Sequence, residues 1–135
     1  VPGTSNVELG CFPPRWIVAE HTFRPPPFHR NVASEFVGLI RGQYIGKAEG
    51  FQPGSASLHN CMSGHGPDAE AYERGRSAEQ QPQFLADTMT FIFETQLPVR
   101  PTKFALETDL LERDYYTHWQ RLKKHFRAEE PAKTI

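Results

Sequence analysis

The stretch FHRNVASEF sets an imidazole and a carboxylate, His29 and Glu35, six residues apart, and SLHNCMSGHGPD repeats that spacing with His59 and His65. Imidazole nitrogens and carboxylate oxygens are donors for zinc and for non-haem iron. In the non-haem iron case, two imidazoles and one carboxylate take one face of the ion and leave the others open. His29 and Glu35 with one histidine of the second stretch complete such a set. The residue types fit iron(II) and a catalytic zinc equally, and each side chain also has ordinary surface and hydrogen-bonding uses.

No regular element makes either pair converge. On a strand, six residues span about 20 Å, and on a helix they stand about 240° apart in rotation. Residues 30–34 must therefore turn, which Asn31 and Ser34 favour. Gly64 and Gly66 ease the same turn around His65.

The elements that hold these loops read mainly as strands. Residues 16–23 (WIVAEHTF) are β-branched and aromatic and follow Pro13 and Pro14, which exclude a helix running into them. Residues 35–44 (EFVGLIRGQY) predict a buried strand, residues 57–62 a short strand entering a tight loop, and residues 88–97 (TMTFIFETQL) the clearest strand of all. Pro67 and Asp68 before AEAYERGR predict a helix start. Leu111, Tyr115, Trp119, Leu122 and Phe126 recur at helical spacing, so residues 110–126 predict an amphipathic helix, with Thr108 or Asp109 as cap and Glu112 closing a capping box. His118 lies on that helix, and the dipole at its end accounts for His125. Residues 128–135 read as a loose tail. The expectation is one mainly β (α+β) domain over residues 1–135, with a sandwich or jelly-roll portion and a C-terminal helix.

Charge excludes some partners. Fifteen Lys and Arg stand against 16 Asp and Glu, a net charge of −1, so no strong field recruits nucleic acid or a membrane surface. No apolar run approaches the roughly 20 residues that cross a bilayer, and no secretion signal opens the chain. A cytoplasmic location is the expectation. Cys11 and Cys61 are too few for a disulfide framework and read as buried free thiols. The chain begins at Val1 without Met, as a processed or truncated polypeptide would.

Longer motifs go further. FPPRW, HTFRPP, HRN, SEFVGLIRG, PGSASLHNCMSGHGPD and FIFET, in this order, closely resemble homogentisate 1,2-dioxygenase. The resemblance runs from about Pro13 to Phe126. It implies a cupin-like jelly roll and a non-haem iron(II) enzyme of tyrosine and phenylalanine breakdown. Such an enzyme opens the homogentisate ring with both atoms of O2 to give maleylacetoacetate. Carried over by position, the iron ligands fall on His29, Glu35 and His65. His59 lies beside the metal, and Tyr44, His59 and His65 face the substrate. Members of that family are much longer, so the resemblance covers only their C-terminal part. It places an acid/base histidine in the upstream portion, leaving no catalytic acid/base residue in this chain, and implies that portion and a trimeric or hexameric homo-oligomer as partners. The alternatives are a non-catalytic β domain that binds metal or a partner, and a zinc hydrolase on the same ligands.

Overall fold

The computed structural model describes residues 2–3, 5–16, 28–47, 49–79 and 81–125. Strands β1 (Val7–Phe12), β3 (Ser34–Gly42), β4 (Ala56–His59) and β6 (Thr88–Thr95) form one antiparallel sheet in the order β1-β6-β3-β4. A second small sheet pairs β2 (Arg15–Trp16) with β5 (Phe84–Leu85). The protein is mainly β, as its sequence predicts. The expected strand over residues 16–23 lies outside the described residues except for Trp16, as do His21, Phe126 and the tail.

Alternation along β3 gives the sheet two unlike faces. Directly opposed residues share a face, so Val37 joins Ile92 and Ser57, and Leu39 joins Thr90. Val37 and Leu39 are buried there. The opposite face carries Val7, Leu9, Phe36 and Phe93, all exposed. Near the end of β3 the register shifts between Leu39 and Arg41. Such a bulge bends the strand, and the segment bearing Tyr44 and Lys47 follows the end of β3.

That segment is fastened at three points. Gln43 N–H donates to the Asp87 carbonyl (3.1 Å), the Thr88 hydroxyl donates to the Gln43 carbonyl (2.9 Å), and Asp68 N–H donates to the Gly46 carbonyl (3.0 Å). Asp68 also begins helix α1 (Ala69–Ser77), where its carboxylate accepts from Ala71 N–H at 2.7 Å. The predicted helix start is therefore present, and its cap doubles as an anchor for the Tyr44 segment.

Past β4 the chain is held by Asn60. Its amide donates to the Val99 carbonyl (2.9 Å), and its carbonyl oxygen accepts from Val99 N–H (2.7 Å) and from the buried Ser34 hydroxyl (3.0 Å). Asn60→Ala takes the Asn60 partner away from each of these groups. It is expected to lower unfolding free energy by about 2–3 kcal/mol, measured as a reduced urea midpoint with unchanged slope.

The end of the chain departs from its periodicity. Residues 110–126 do not form one amphipathic helix: their described part, residues 110–125, holds a 3-10 helix (Tyr115–Trp119), and the short helix α2 (Lys103–Glu107) ends before it. The capping box is also absent. The Thr108 hydroxyl accepts from Leu110 N–H at 3.3 Å, while Glu112 reaches away to Lys47 and His118. Contacts with the rest of the protein outweigh the local helical preference here. The dipole explanation for His125 fails with the helix, and its Nε2 lies 3.4 Å from Glu73 Oε1 instead. The expectation of two buried thiols also fails. Cys61 is half-buried against Ser34, whereas Cys11 is exposed because β1 is an edge strand with an open outer face.

Candidate functional site

Two equal spacings in the sequence are one register in the structure. Glu35 lies opposite His59 in the β3–β4 ladder, and His29 lies opposite His65 in an isolated bridge. That bridge is closed on both sides: His29 N–H donates to the His65 carbonyl (2.8 Å) and His65 N–H to the His29 carbonyl (2.9 Å). Between the two pairings both chains bend. Asn31 Oδ1 accepts from Ala33 N–H (3.3 Å), Ser63 N–H donates to the Asn60 carbonyl (2.8 Å), and Met62 takes a left-handed φ of 63°. The required turns are both present, and they fold the second pair back onto the first.

The side chains then meet. The His65 ring lies 4.4 Å from the His29 ring and stacks at 4.7 Å on the His59 ring, centroid to centroid. His65 Nε2 approaches Glu35 Oε2 at 3.5 Å. His65 is almost wholly buried, and its Nδ1 lies 2.9 Å from the Ser63 carbonyl. A carbonyl only accepts, so Nδ1 carries the proton and a neutral ring presents a lone pair at Nε2. Nε2 is buried and makes no hydrogen bond. In that neutral form two electron-pair donors, Nε2 and a carboxylate oxygen, face each other, an arrangement that a cation between them satisfies.

His29, Glu35 and His65 are neighbours, but they are not drawn in around one shared point. Among the described residues no group of three or more His, Cys, Asp and Glu side chains is closed up to hold a metal ion. The donor chemistry fits iron(II) or zinc, and the Nε2–carboxylate pair is the part already in place.

The other groups have separate duties. His59 is buried, and its Nε2 lies 3.2 Å from the Ser57 hydroxyl. Burial, together with the neighbouring His65 and His29, pushes its pKa down to about 4, so it is neutral at pH 7. Tyr44 is held well above the ordinary phenol value by burial first and by the negative charge of Glu35 second. It is a proton donor at every physiological pH. These side chains line an open cleft of about 1010 Å³ together with Lys47 and Tyr115.

Lys47, Glu112, Tyr115 and Trp119 carry no signal in the sequence that places them at a site. Lys47 is buried, pairs with Glu112 at 2.8 Å and lies over the Tyr115 ring, 4.6 Å from its centroid. Tyr115 and Trp119 pack on His59 at 6.1 and 6.0 Å between ring centroids, and Trp119 donates to the Gly66 carbonyl at 3.0 Å. The periodic aromatics at 115 and 119 are the nearest thing to a signal, and helical spacing points them toward a different role. His118 pairs with Glu112, and Glu94 lies opposite Glu35 in the β3–β6 ladder, where its carboxylate accepts from the Asn31 amide (3.5 Å).

An antiparallel sheet carrying three clustered histidines and a carboxylate at the mouth of a cleft defines a mainly β protein with its polar site at one end of the sheet. Residues 1–126 match the family model described as homogentisate 1,2-dioxygenase C-terminal, and the chain belongs to that family.

Proposed function

We propose that this chain is the C-terminal part of an iron(II)-dependent homogentisate 1,2-dioxygenase, acting on homogentisate and O2 to give maleylacetoacetate in tyrosine and phenylalanine catabolism. The observation that carries the reading is the buried Nε2 of His65, which makes no hydrogen bond and lies 3.5 Å from the Glu35 carboxylate in a chain of this family. His65, Glu35 and the adjacent His29 are the residues that would hold the metal. When bound there, iron(II) supplies open positions at which a phenolic substrate and O2 meet.

The remaining steps belong to the protein. His59, neutral and backed by the Ser57 hydroxyl, accepts or passes a hydrogen bond beside the metal without adding charge. The Tyr44 hydroxyl keeps its proton next to Glu35 and donates to a substrate oxygen, orienting the ring. The aromatic walls of Tyr115 and Trp119 exclude water from the same place. Proton transfer itself is assigned to a histidine upstream of this chain. Tyr44→Phe is expected to lower kcat/KM for homogentisate by about 10-fold or more, the value of one hydrogen bond to a charged oxygen, with bound iron unchanged. Equal kcat/KM in the two proteins would remove Tyr44 from the substrate.

The finer architecture belongs to the same reading. The four-stranded sheet supplies part of a cupin-like jelly roll in a cytoplasmic enzyme. The upstream polypeptide and a trimeric or hexameric assembly are its partners, and the exposed Val7, Leu9, Phe36 and Phe93 support a covering surface. The test is anaerobic reconstitution with iron(II) and measurement of oxygen uptake with homogentisate, with and without the upstream part. Oxygen uptake is expected only when both iron and the upstream part are present. Iron bound without homogentisate-dependent uptake, even with the upstream part present, would favour a metal-binding or partner-binding β domain instead.

A further inference from the structure

The deepest cation of the cleft is Lys47, whose side chain is only 5% exposed. A buried ammonium is retained only where other groups compensate its lost hydration. Lys47 has two such groups, the Glu112 carboxylate at 2.8 Å and the face of Tyr115, and both come from one segment of the chain, residues 112–119. Glu112 is tied in turn to His118 within that segment. Burial pulls Glu112 upward, but the hydrogen bonds from Lys47 and His118 prevail and hold its carboxyl below the ordinary range.

Besides these, the segment is held by the Trp119 hydrogen bond to the Gly66 carbonyl (3.0 Å) and by ring contacts with Phe28 and His59. The 3-10 helix (Tyr115–Trp119) opens at Asp114 without a side-chain cap, and none of its residues is fully buried. Yet it carries the two rings that rest on His59. It also carries Tyr115, whose hydroxyl lies near Ser57, the residue whose own hydroxyl meets His59 Nε2.

We infer that Lys47 is a positioning residue: by pairing with Glu112 and lying over Tyr115 it straps residues 112–119 across the cleft and so fixes the aromatic wall against His59. This rests on the proposed dioxygenase site for its effect on turnover, but not for its effect on the strap. Lys47 acts through Tyr115, which stacks on His59, and takes no part in bond making.

The test labels the complete polypeptide with 5-fluorotryptophan and assigns the Trp119 resonance with Trp119→Phe. In Lys47→Met the 19F signal of Trp119 is expected to move toward that of free 5-fluorotryptophan, and in Lys47→Arg to stay near wild type. Glu112→Gln, which keeps the buried lysine, is expected to give a smaller shift in the same direction and serves if Lys47→Met does not fold. For turnover, Lys47→Met is expected to raise KM for homogentisate about 10-fold while kcat falls less than about 3-fold and iron content holds. Lys47→Arg is expected to restore KM. A Trp119 signal unmoved in Lys47→Met and Glu112→Gln overturns the strap. A moved signal with KM unchanged overturns its role in positioning. If the wild-type protein takes up no oxygen, the dioxygenase reading fails, and the 19F signal still decides the strap.

Discussion

His65→Ala is expected to weaken iron(II) binding by about 1000-fold or more, whereas His59→Ala weakens it by no more than about 10- to 100-fold, the range for losing a neighbour of a ligand. Both histidines are buried and their rings are stacked, so burial does not separate them. Their hydrogen bonds do. His59 Nε2 is engaged with the Ser57 hydroxyl, while His65 spends its proton on the Ser63 carbonyl and leaves Nε2 bare toward Glu35. Only a nitrogen with a free lone pair can ligate, and a second bond through Nδ1 fixes which nitrogen that is. Anaerobic equilibrium dialysis against iron(II) measures both variants. Equal losses would erase the distinction between ligand and neighbour.

The second large effect concerns the loop that carries Tyr44 and Lys47. Gly42→Ala is expected to cost about 3 kcal/mol or more, combining left-handed strain with overpacking. Gly42 has φ +76°, and a Cβ there would collide with the backbone carbonyl of Asp87, the same carbonyl that accepts from Gln43 N–H. Backbone cannot step aside as a side chain does. Gly54 is the control, since its φ is +93° but a Cβ there meets open space. Gly54→Ala is expected to cost only about 1–2 kcal/mol, from backbone conformation alone. Urea unfolding of the two variants reads the difference, and equal losses would show that Asp87 gives way.

Local chemistry makes part of this molecule legible without its fold. TMTFIFETQL and EFVGLIRG are strands because β-branched and aromatic residues fill them, and Asp68 caps a helix because its carboxylate reaches Ala71. Strand β1 escapes such reading, because VELGCF has a glycine and little alternation and forms only by pairing with β6. The C-terminal periodicity misleads for a related reason. Tyr115 and Trp119 have helical spacing, but His59 and Gly66 claim them, and Lys47 claims Glu112. At the site, the need for turns between His29 and Glu35 and between His59 and His65 follows from spacing alone. That the two turns belong to one antiparallel pairing does not, because register across thirty residues leaves no local trace. The same holds for Lys47, whose carboxylate and ring partners lie on a segment far along the chain.

The proposed reaction needs His29, Glu35 and His65 to hold an iron(II) ion at which homogentisate and O2 react. To test this, the complete polypeptide is loaded anaerobically with iron(II), homogentisate is added and oxygen is admitted at an electrode, with Glu35→Ala treated alike. Stoichiometric uptake of O2 and homogentisate is expected in the wild-type protein, and neither retained iron nor uptake in Glu35→Ala. Full uptake by Glu35→Ala, or none by an iron-loaded wild-type protein, would overturn the assignment.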